Sequence, residues 1–306
     1  MYVAQLTEFG TAPEWTEHDD VEPGPGEALV KVSLAALNPF DLRVAGGNFY
    51  VRPGLPYVPC GEGFGTVVRS SRFAAGARVR FGAPVRPGAL AGLVAVADDT
   101  LAPVPDSVTD EVAAGIGVAG MAAWFALRRA RTAEGDRVLI LGATGVAGGL
   151  AVRLAREMGA GEVVGAGRDH AALAFLASDA VSVTTFDEEW ADRRFDVIVD
   201  FVGGAPAAAA ITAAAPGARL VNVGDAAGPV IAVPTGLLRS RGLEVHGHSN
   251  LLIPAAEQLA ALSSLFGYAA AGGIDLRHEV WPADRLADAW RHQAGSPHRK
   301  ILIRLP

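Results

Sequence analysis

The run Val138-Leu139-Ile140-Leu141-Gly142-Ala143-Thr144-Gly145-Val146-Ala147-Gly148 places glycines at G-x-x-G-x-x-G spacing directly after an apolar stretch. Each glycine has its own physical use. Gly142 can turn tightly without a Cβ clash, Gly145 lets backbone amides approach a pyrophosphate, and Gly148 lets a helix pack close to a strand. A helix starting here would aim free N–H groups and a partial positive charge at phosphate oxygens. The same glycines would also serve a tight strand–helix turn with no ligand, and the chain has 37 glycines. The context favours a dinucleotide site: the loop follows a predicted strand, opens a predicted helix and lies in a βαβ pattern. Gly142, Ala143, Thr144, Gly145, Val146, Ala147 and Gly148 are therefore expected to bind the cofactor.

About 20 residues further on, Val164-Gly165-Ala166-Gly167-Arg168 ends the next predicted strand. An acidic residue at this place holds a ribose 2′-hydroxyl, whereas an arginine suits a 2′-phosphate. Arg168 can meet a phosphate with two N–H groups, which favours NADPH. Asp169 beside it offers a 2′-hydroxyl partner instead. The remaining chemistry-bearing residues are sparse. His246-Gly247-His248 would share one face of a strand, but no carboxylate or cysteine accompanies them, and they read as cleft or strand-end residues before metal ligands. Cys60 is the single cysteine, which excludes a disulfide framework and a multi-cysteine zinc site. It has no histidine motif nearby to make it a nucleophile, and no G-x-S-x-G supports a hydrolase.

The elements that must position these residues fall into two patterns. Residues before about 108 read as short strands with many turns (Val3–Leu6, Ala28–Ala36, Thr66–Arg69, Ala77–Phe81, Leu93–Ala97), a compact β-barrel-like domain. A helical run from about 109 to 131 follows, and then strands alternate with helices. The predicted strands are Arg137–Leu141, Glu162–Ala166, Val181–Thr184, Phe195–Phe201, Ala218–Val223 and Leu243–Gly247. Such alternation implies a parallel sheet covered on both faces. The tail is mixed, with helices at Pro254–Ala271 and Pro282–His292 and a closing strand at Lys300–Arg304. The length of 306 residues suits two domains at roughly 150 residues each. Net charge is −7, without the basic footprint of a nucleic-acid binder. Mean hydropathy is +0.28, yet the uncharged stretches Val112–Leu127 and Gly203–Ala218 fall short of the ~20 residues that span a bilayer. No secretory signal is visible, so a cytoplasmic protein without membrane or nucleic-acid partners is the expectation.

Several motifs, in order, resemble the medium-chain dehydrogenase/reductase superfamily, in its zinc-free quinone oxidoreductase-like (zeta-crystallin-like) branch. They are Pro23-Gly24-Pro25-Gly26-Glu27, Leu37-Asn38-Pro39-Phe40-Asp41, Leu55-Pro56-Tyr57-Val58-Pro59-Cys60-Gly61-Glu62-Gly63-Phe64-Gly65, the glycine loop, Asp196–Gly204 and Val221-Asn222-Val223-Gly224. The resemblance implies an α/β fold: a GroES-like β-rich catalytic domain (1–108, completed by 249–306) plus a Rossmann doubly wound parallel-sheet cofactor domain (109–248). The active site would lie in the cleft between them. It adds Val202, Asn222, Val223 and Gly224 to the cofactor residues, and it implies a homodimer through the edge strand at 243–247. Asn38 and Gly61 stand where zinc-dependent members carry cysteine and histidine, and only Glu62 remains of that set, so no metal is expected.

The implied reaction is NADPH-dependent hydride transfer to a quinone or an α,β-unsaturated carbonyl. A specialised biosynthetic tailoring enzyme and a non-catalytic NADPH-binding protein are the alternatives. Asn38 and Tyr50 are the catalytic candidates. Asn38 would be the hydrogen-bond donor to the substrate oxygen, or simply the cap of an Asn-Pro turn. Asn38, Phe49, Tyr50, Tyr57, Trp124 and His248 are the candidate substrate contacts. Three departures stand out: Cys60 replaces the family's glycine, Phe49 falls where a tyrosine is common, and Ala122 falls where a threonine often approaches the nicotinamide.

Overall fold

The computed structural model describes residues 1–82, 88–178, 181–186, 190 and 193–306. The chain divides into two compact units, Met1–Val118 with Pro254–Pro306, and Ala119–Ile253. In the first unit, β1 (Tyr2–Gln5) pairs with β2 (Glu14–Glu17), a strand whose polar sequence Glu-Trp-Thr-Glu hides it from a hydrophobicity reading. β3 (Glu27–Leu37) is buried along most of its length. α1 (Pro39–Ala45) follows at once, with proline in its first turn. Next come β4 (Glu62–Arg69), β5 (Arg78–Gly82), β6 (Leu93–Ala97) and β7 (Ala102–Pro103).

The run expected as one helix is two, α2 (Asp110–Gly115) and α3 (Gly117–Arg129). The break has a cause in packing. A Cβ on Gly117 would sit 2.0 Å from the buried Arg80 guanidinium, and one on Gly115 would sit 2.7 Å from Leu276 and 2.9 Å from Lys300. These glycines let the chain press against side chains that a regular alanine helix would hold off. α2 packs on β3 and β4, so the division falls at Val118 and not at 108.

The second unit is a parallel sheet in the order β10-β9-β8-β11-β12-β13. Its members are β8 (Arg137–Leu141), β9 (Glu162–Gly167), β10 (Ser182–Thr185), β11 (Phe195–Asp200), β12 (Ala214–Asn222) and β13 (Glu244–Gly247). Between them run α4 (Val146–Glu157), α5 (His170–Ala174), α6 (Gly204–Thr212) and α7 (Thr235–Arg241), the last not foreseen because none of its residues is buried. Val138, Leu139, Ile140 and Leu141 are fully buried, as a central strand covered on both faces requires.

The chain then returns to the first unit with α8 (Ala255–Ala270), β14 (His278–Pro282), α9 (Leu286–Ala294) and β15 (Lys300–Arg304). The larger sheet there runs β14-β15-β3-β4-β5-β7, with β6 also on β3. Val30, Val32, Leu37, Phe81, Leu90, Trp290, Ile301 and Ile303 pack its core. Among the described residues no helix is long and apolar enough to cross a membrane.

Candidate functional site

The glycine loop joins β8 to α4. Gly142 has φ +82°, and both its N–H and that of Ala143 donate to the Ala166 carbonyl at 2.9 Å. A Cβ on Gly148 would lie 2.2 Å from the Gly142 carbonyl oxygen, so only glycine permits this approach of helix to loop. Gly145 is the N-cap of α4 and supplies no side-chain acceptor; a Cβ there would approach only the Gly142 oxygen, at 3.4 Å. The first turn of α4 therefore has no side-chain cap on its N–H groups, the arrangement a pyrophosphate needs. The side chains of Ala143 and Thr144 are buried, so these two offer a ligand mainly their backbone.

Arg168 follows β9 directly and is exposed, with no hydrogen bond or ion pair among the described residues. Asp169 is committed elsewhere: its carboxylate accepts from Ala172 N–H at 3.0 Å and caps α5. On the other side of β8, Asp200 ends β11 and is fully buried. One of its carboxylate oxygens accepts from Val202 N–H (2.9 Å) and Gly203 N–H (2.8 Å), the other from Asn222 Nδ2 (2.7 Å). Asn222 Nδ2 also donates to the Gly224 carbonyl (2.8 Å), and Val223 N–H donates to the Asp200 carbonyl (2.7 Å). Burial pushes the Asp200 carboxyl above the usual carboxylate range, and these N–H groups counter it only in part. Val202, Asn222, Val223 and Gly224 thus form one hydrogen-bonded group of loops.

His248 N–H donates to the Asn222 carbonyl (2.9 Å), while the His248 ring meets Asn250 (2.9 Å) and stands 5.9 Å from Phe125, centroid to centroid. Burial holds its imidazole below the usual histidine value. Contrary to the expectation that no carboxylate accompanies the two histidines, Glu244 on the same strand pairs with His246 (3.0 Å) and also accepts from Arg131 (2.6 Å). Trp124, on α3, is half-buried with the Arg128 guanidinium 5.8 Å from its ring.

In the first unit the structure gathers Asn38, Glu62 and Lys300, with Arg80 behind them. Lys300 Nζ donates to Asn38 Oδ1 (2.6 Å) and to Glu62 Oε1; Asn38 Nδ2 donates to Glu62 Oε1 (3.1 Å) and weakly to the Ala36 carbonyl (3.4 Å). Arg80 Nη2 (2.8 Å) and Val118 N–H (2.7 Å) bind Glu62 Oε2, so this carboxylate also caps the first turn of α3. Burial pushes the Glu62 carboxyl up, but the Lys300 and Arg80 charges overcome it and hold it below the usual range.

Asn38, expected to offer its amide to a substrate, is buried here with its Nδ2 donating to Glu62 and Ala36. Asn38 also stands at the N-cap of α1, where its N–H donates to the Asp41 carboxylate (2.8 Å) in a capping box, while its side-chain oxygen accepts from Lys300 (2.6 Å). Tyr57, a candidate substrate contact, is mostly buried. It lies in the core cluster, backbone-paired with Leu6, and burial pushes its phenol up. Phe49 and Tyr50 stack with centroids 4.0 Å apart, and Tyr50 is 73% exposed.

These residues do not fit a zinc ion. Glu62 already binds two cations, Asn38 binds one of them, and among the described residues no group of three or more His, Cys, Asp and Glu could hold a metal. The sequence reading missed Lys300, Arg80 and Asp200. One signal was present: Lys300 is one of two lysines in a chain whose other basic residues are arginine.

Residues 24–106 match the alcohol dehydrogenase GroES-like domain family, and residues 158–300 match the zinc-binding dehydrogenase family. The chain is 29% identical to a quinone oxidoreductase of Pseudomonas aeruginosa, covering 91% of this chain and 90% of that one. It is 30% identical to a segment of a phenolphthiocerol/phthiocerol polyketide synthase of Mycobacterium tuberculosis, covering 93% of this chain but 14% of the synthase chain. The quinone oxidoreductase of Thermus thermophilus, solved alone and with NADPH, superposes with a TM-score of 0.87 at 27% identity over 100% of both chains. With a GroES-like unit, a parallel nucleotide-type sheet and these relatives, the chain belongs to the quinone oxidoreductase-like branch of the medium-chain dehydrogenase/reductase superfamily.

Proposed function

We propose that the chain is an NADPH-dependent reductase of a quinone or an α,β-unsaturated carbonyl, working without a metal. The observation that carries this reading is the glycine loop together with Arg168 at the end of β9, which has no partner among the described residues, while the competing Asp169 is spent on a helix cap. Bound NADPH would supply the hydride. Gly145 and the first turn of α4 would hold its pyrophosphate, Arg168 its 2′-phosphate, and the loops at Val202 and Asn222–Gly224 its nicotinamide half. Reducing a conjugated C=C leaves charge on the carbonyl oxygen, which needs a hydrogen-bond donor. With Asn38 committed internally, Tyr50 is the candidate to donate it, and its stack on Phe49 suits a planar substrate. The likeness to a polyketide synthase segment favours enone or enoyl substrates as a second set beside quinones.

The edge strand β13, with Val245 exposed, is proposed as the seam of a homodimer. Following NADPH absorbance with a panel of quinones and enones tests the activity. Turnover that survives chelator is expected. NADPH binding without turnover on any member would favour a non-catalytic binding protein or an enzyme dedicated to one biosynthetic intermediate.

A further inference from the structure

We propose that Asp200 is a positioning residue, a buried clasp that sets the two loops receiving the nicotinamide half of the cofactor. This rests on the cofactor reading above. The sheet order puts β9, with Arg168 after it, on one side of β8, and β11 and β12 on the other. A dinucleotide lying across the ends of these strands straddles the β8–β11 switch point, its 2′-phosphate half toward β9 and its nicotinamide half toward β11 and β12. Asp200 stands at the C-terminal end of β11, on the second side.

The geometry explains why a carboxylate is needed. One oxygen takes the N–H groups of Val202 and Gly203 from the loop after β11, and the other takes Asn222, whose amide in turn holds the Gly224 carbonyl in the loop after β12. An asparagine at 200 has a single acceptor oxygen and would turn an NH2 group toward one set of these donors. The clasp reaches the phosphate loop as well, because Val202 packs on Gly142, where a Cβ would meet its Cγ1 at 2.8 Å. The two loops approach each other closely: a Cβ on Gly224 would meet the Phe201 carbonyl oxygen at 2.4 Å. Among the described residues Asp200 has no cation beside it, so its burial is a cost without an ion pair to offset it. Costly buried charges gather at sites where geometry serves function.

The test compares NADPH with 2′,5′-ADP, which carries the 2′-phosphate half and lacks nicotinamide, by calorimetric titration of the intact protein and of Asp200→Asn. The expected result is NADPH weakened about 10- to 100-fold and 2′,5′-ADP within about twofold of the intact protein. Equal losses for both ligands, or no loss for NADPH, would overturn the proposal. Should Asp200→Asn fail to fold, Asn222→Ala cuts only the tie to the second loop. It should show the same half-selective loss at smaller size, and an unchanged NADPH affinity there overturns the proposal. Failure of the intact protein to bind NADPH at all would instead overturn the cofactor reading.

Discussion

Glu62 and Asp200 are both fully buried carboxylates, and their surroundings have opposite character. Glu62, in the GroES-like unit, is held by two cations, a backbone N–H and the Asn38 amide. Asp200, in the nucleotide-type unit, is met among the described residues by N–H donors alone, from Val202, Gly203 and Asn222. Accordingly Glu62 titrates below the usual range and Asp200 above it. The comparison teaches where each unit spends its buried charge. In the first, Lys300 and Arg80 close a buried knot around Glu62. In the second, a carboxylate with no cation beside it among the described residues ties two glycine-containing loops together.

Breaking the knot should have the largest effect. Lys300→Met leaves Glu62 with one cation fewer in a dry interior, and breaking a buried pair in this way costs about 3–5 kcal/mol. Urea titration should show that loss, with partial recovery when Glu62→Gln is added. A Lys300→Met protein as stable as the intact one would contradict the charge assignment.

A second contrast is drawn by pH. Burial pushes Asp41 up to about 7, against the N–H groups of Gly61 and Asn38 that favour its charged form. A raised folded value means its contribution to stability is full below the unfolded value and is lost as pH rises through about 7. Glu62 runs the other way, its contribution being present above the ordinary carboxylate value and lost as pH falls through its lowered folded value. Asp41→Asn should therefore flatten a decline in stability between the ordinary carboxylate value and about 7, a change of at most ~4 kcal/mol. Denaturant midpoints measured across that range check it; an unchanged slope in the variant would exclude Asp41 as the source.

A smaller effect is expected at Asn38. Asn38→Ala removes hydrogen bonds to Glu62 and Lys300 and should cost about 1–3 kcal/mol of stability. Turnover of the folded variant should stay within a few-fold of the intact enzyme. A hundredfold fall in kcat with stability intact would return Asn38 to the substrate. On the surface, Arg168→Ala should move stability least, within about 0.5 kcal/mol by the same urea titration.

The cofactor unit was the more legible of the two because its signals are local. The strand, the three glycines and the helix of the glycine loop are contiguous. The knot in the first unit was not legible, since Lys300 and Asn38 are 262 positions apart and meet only when β15 pairs with β3. Tyr57 misled for a related reason: its phenol suggests a cleft, but its strand-like pairing with Leu6 turns it into the core. β2 and β14 escaped notice because their half-exposed, mixed sequences lack an apolar run. The helix expected over 109–131 broke where Gly115 and Gly117 admit Lys300, Leu276 and Arg80, partners that no local pattern announces.

The most direct test of the account is a calorimetric titration of NADPH and NADH into the intact protein and Arg168→Ala. Arg168 is predicted to contribute about 1.5–3 kcal/mol to NADPH alone, so the variant should bind NADPH roughly 10- to 150-fold more weakly and NADH almost unchanged. Equal losses for the two cofactors, or tighter binding of NADH by the intact protein, would contradict the assignment of this chain as an NADPH-dependent enzyme.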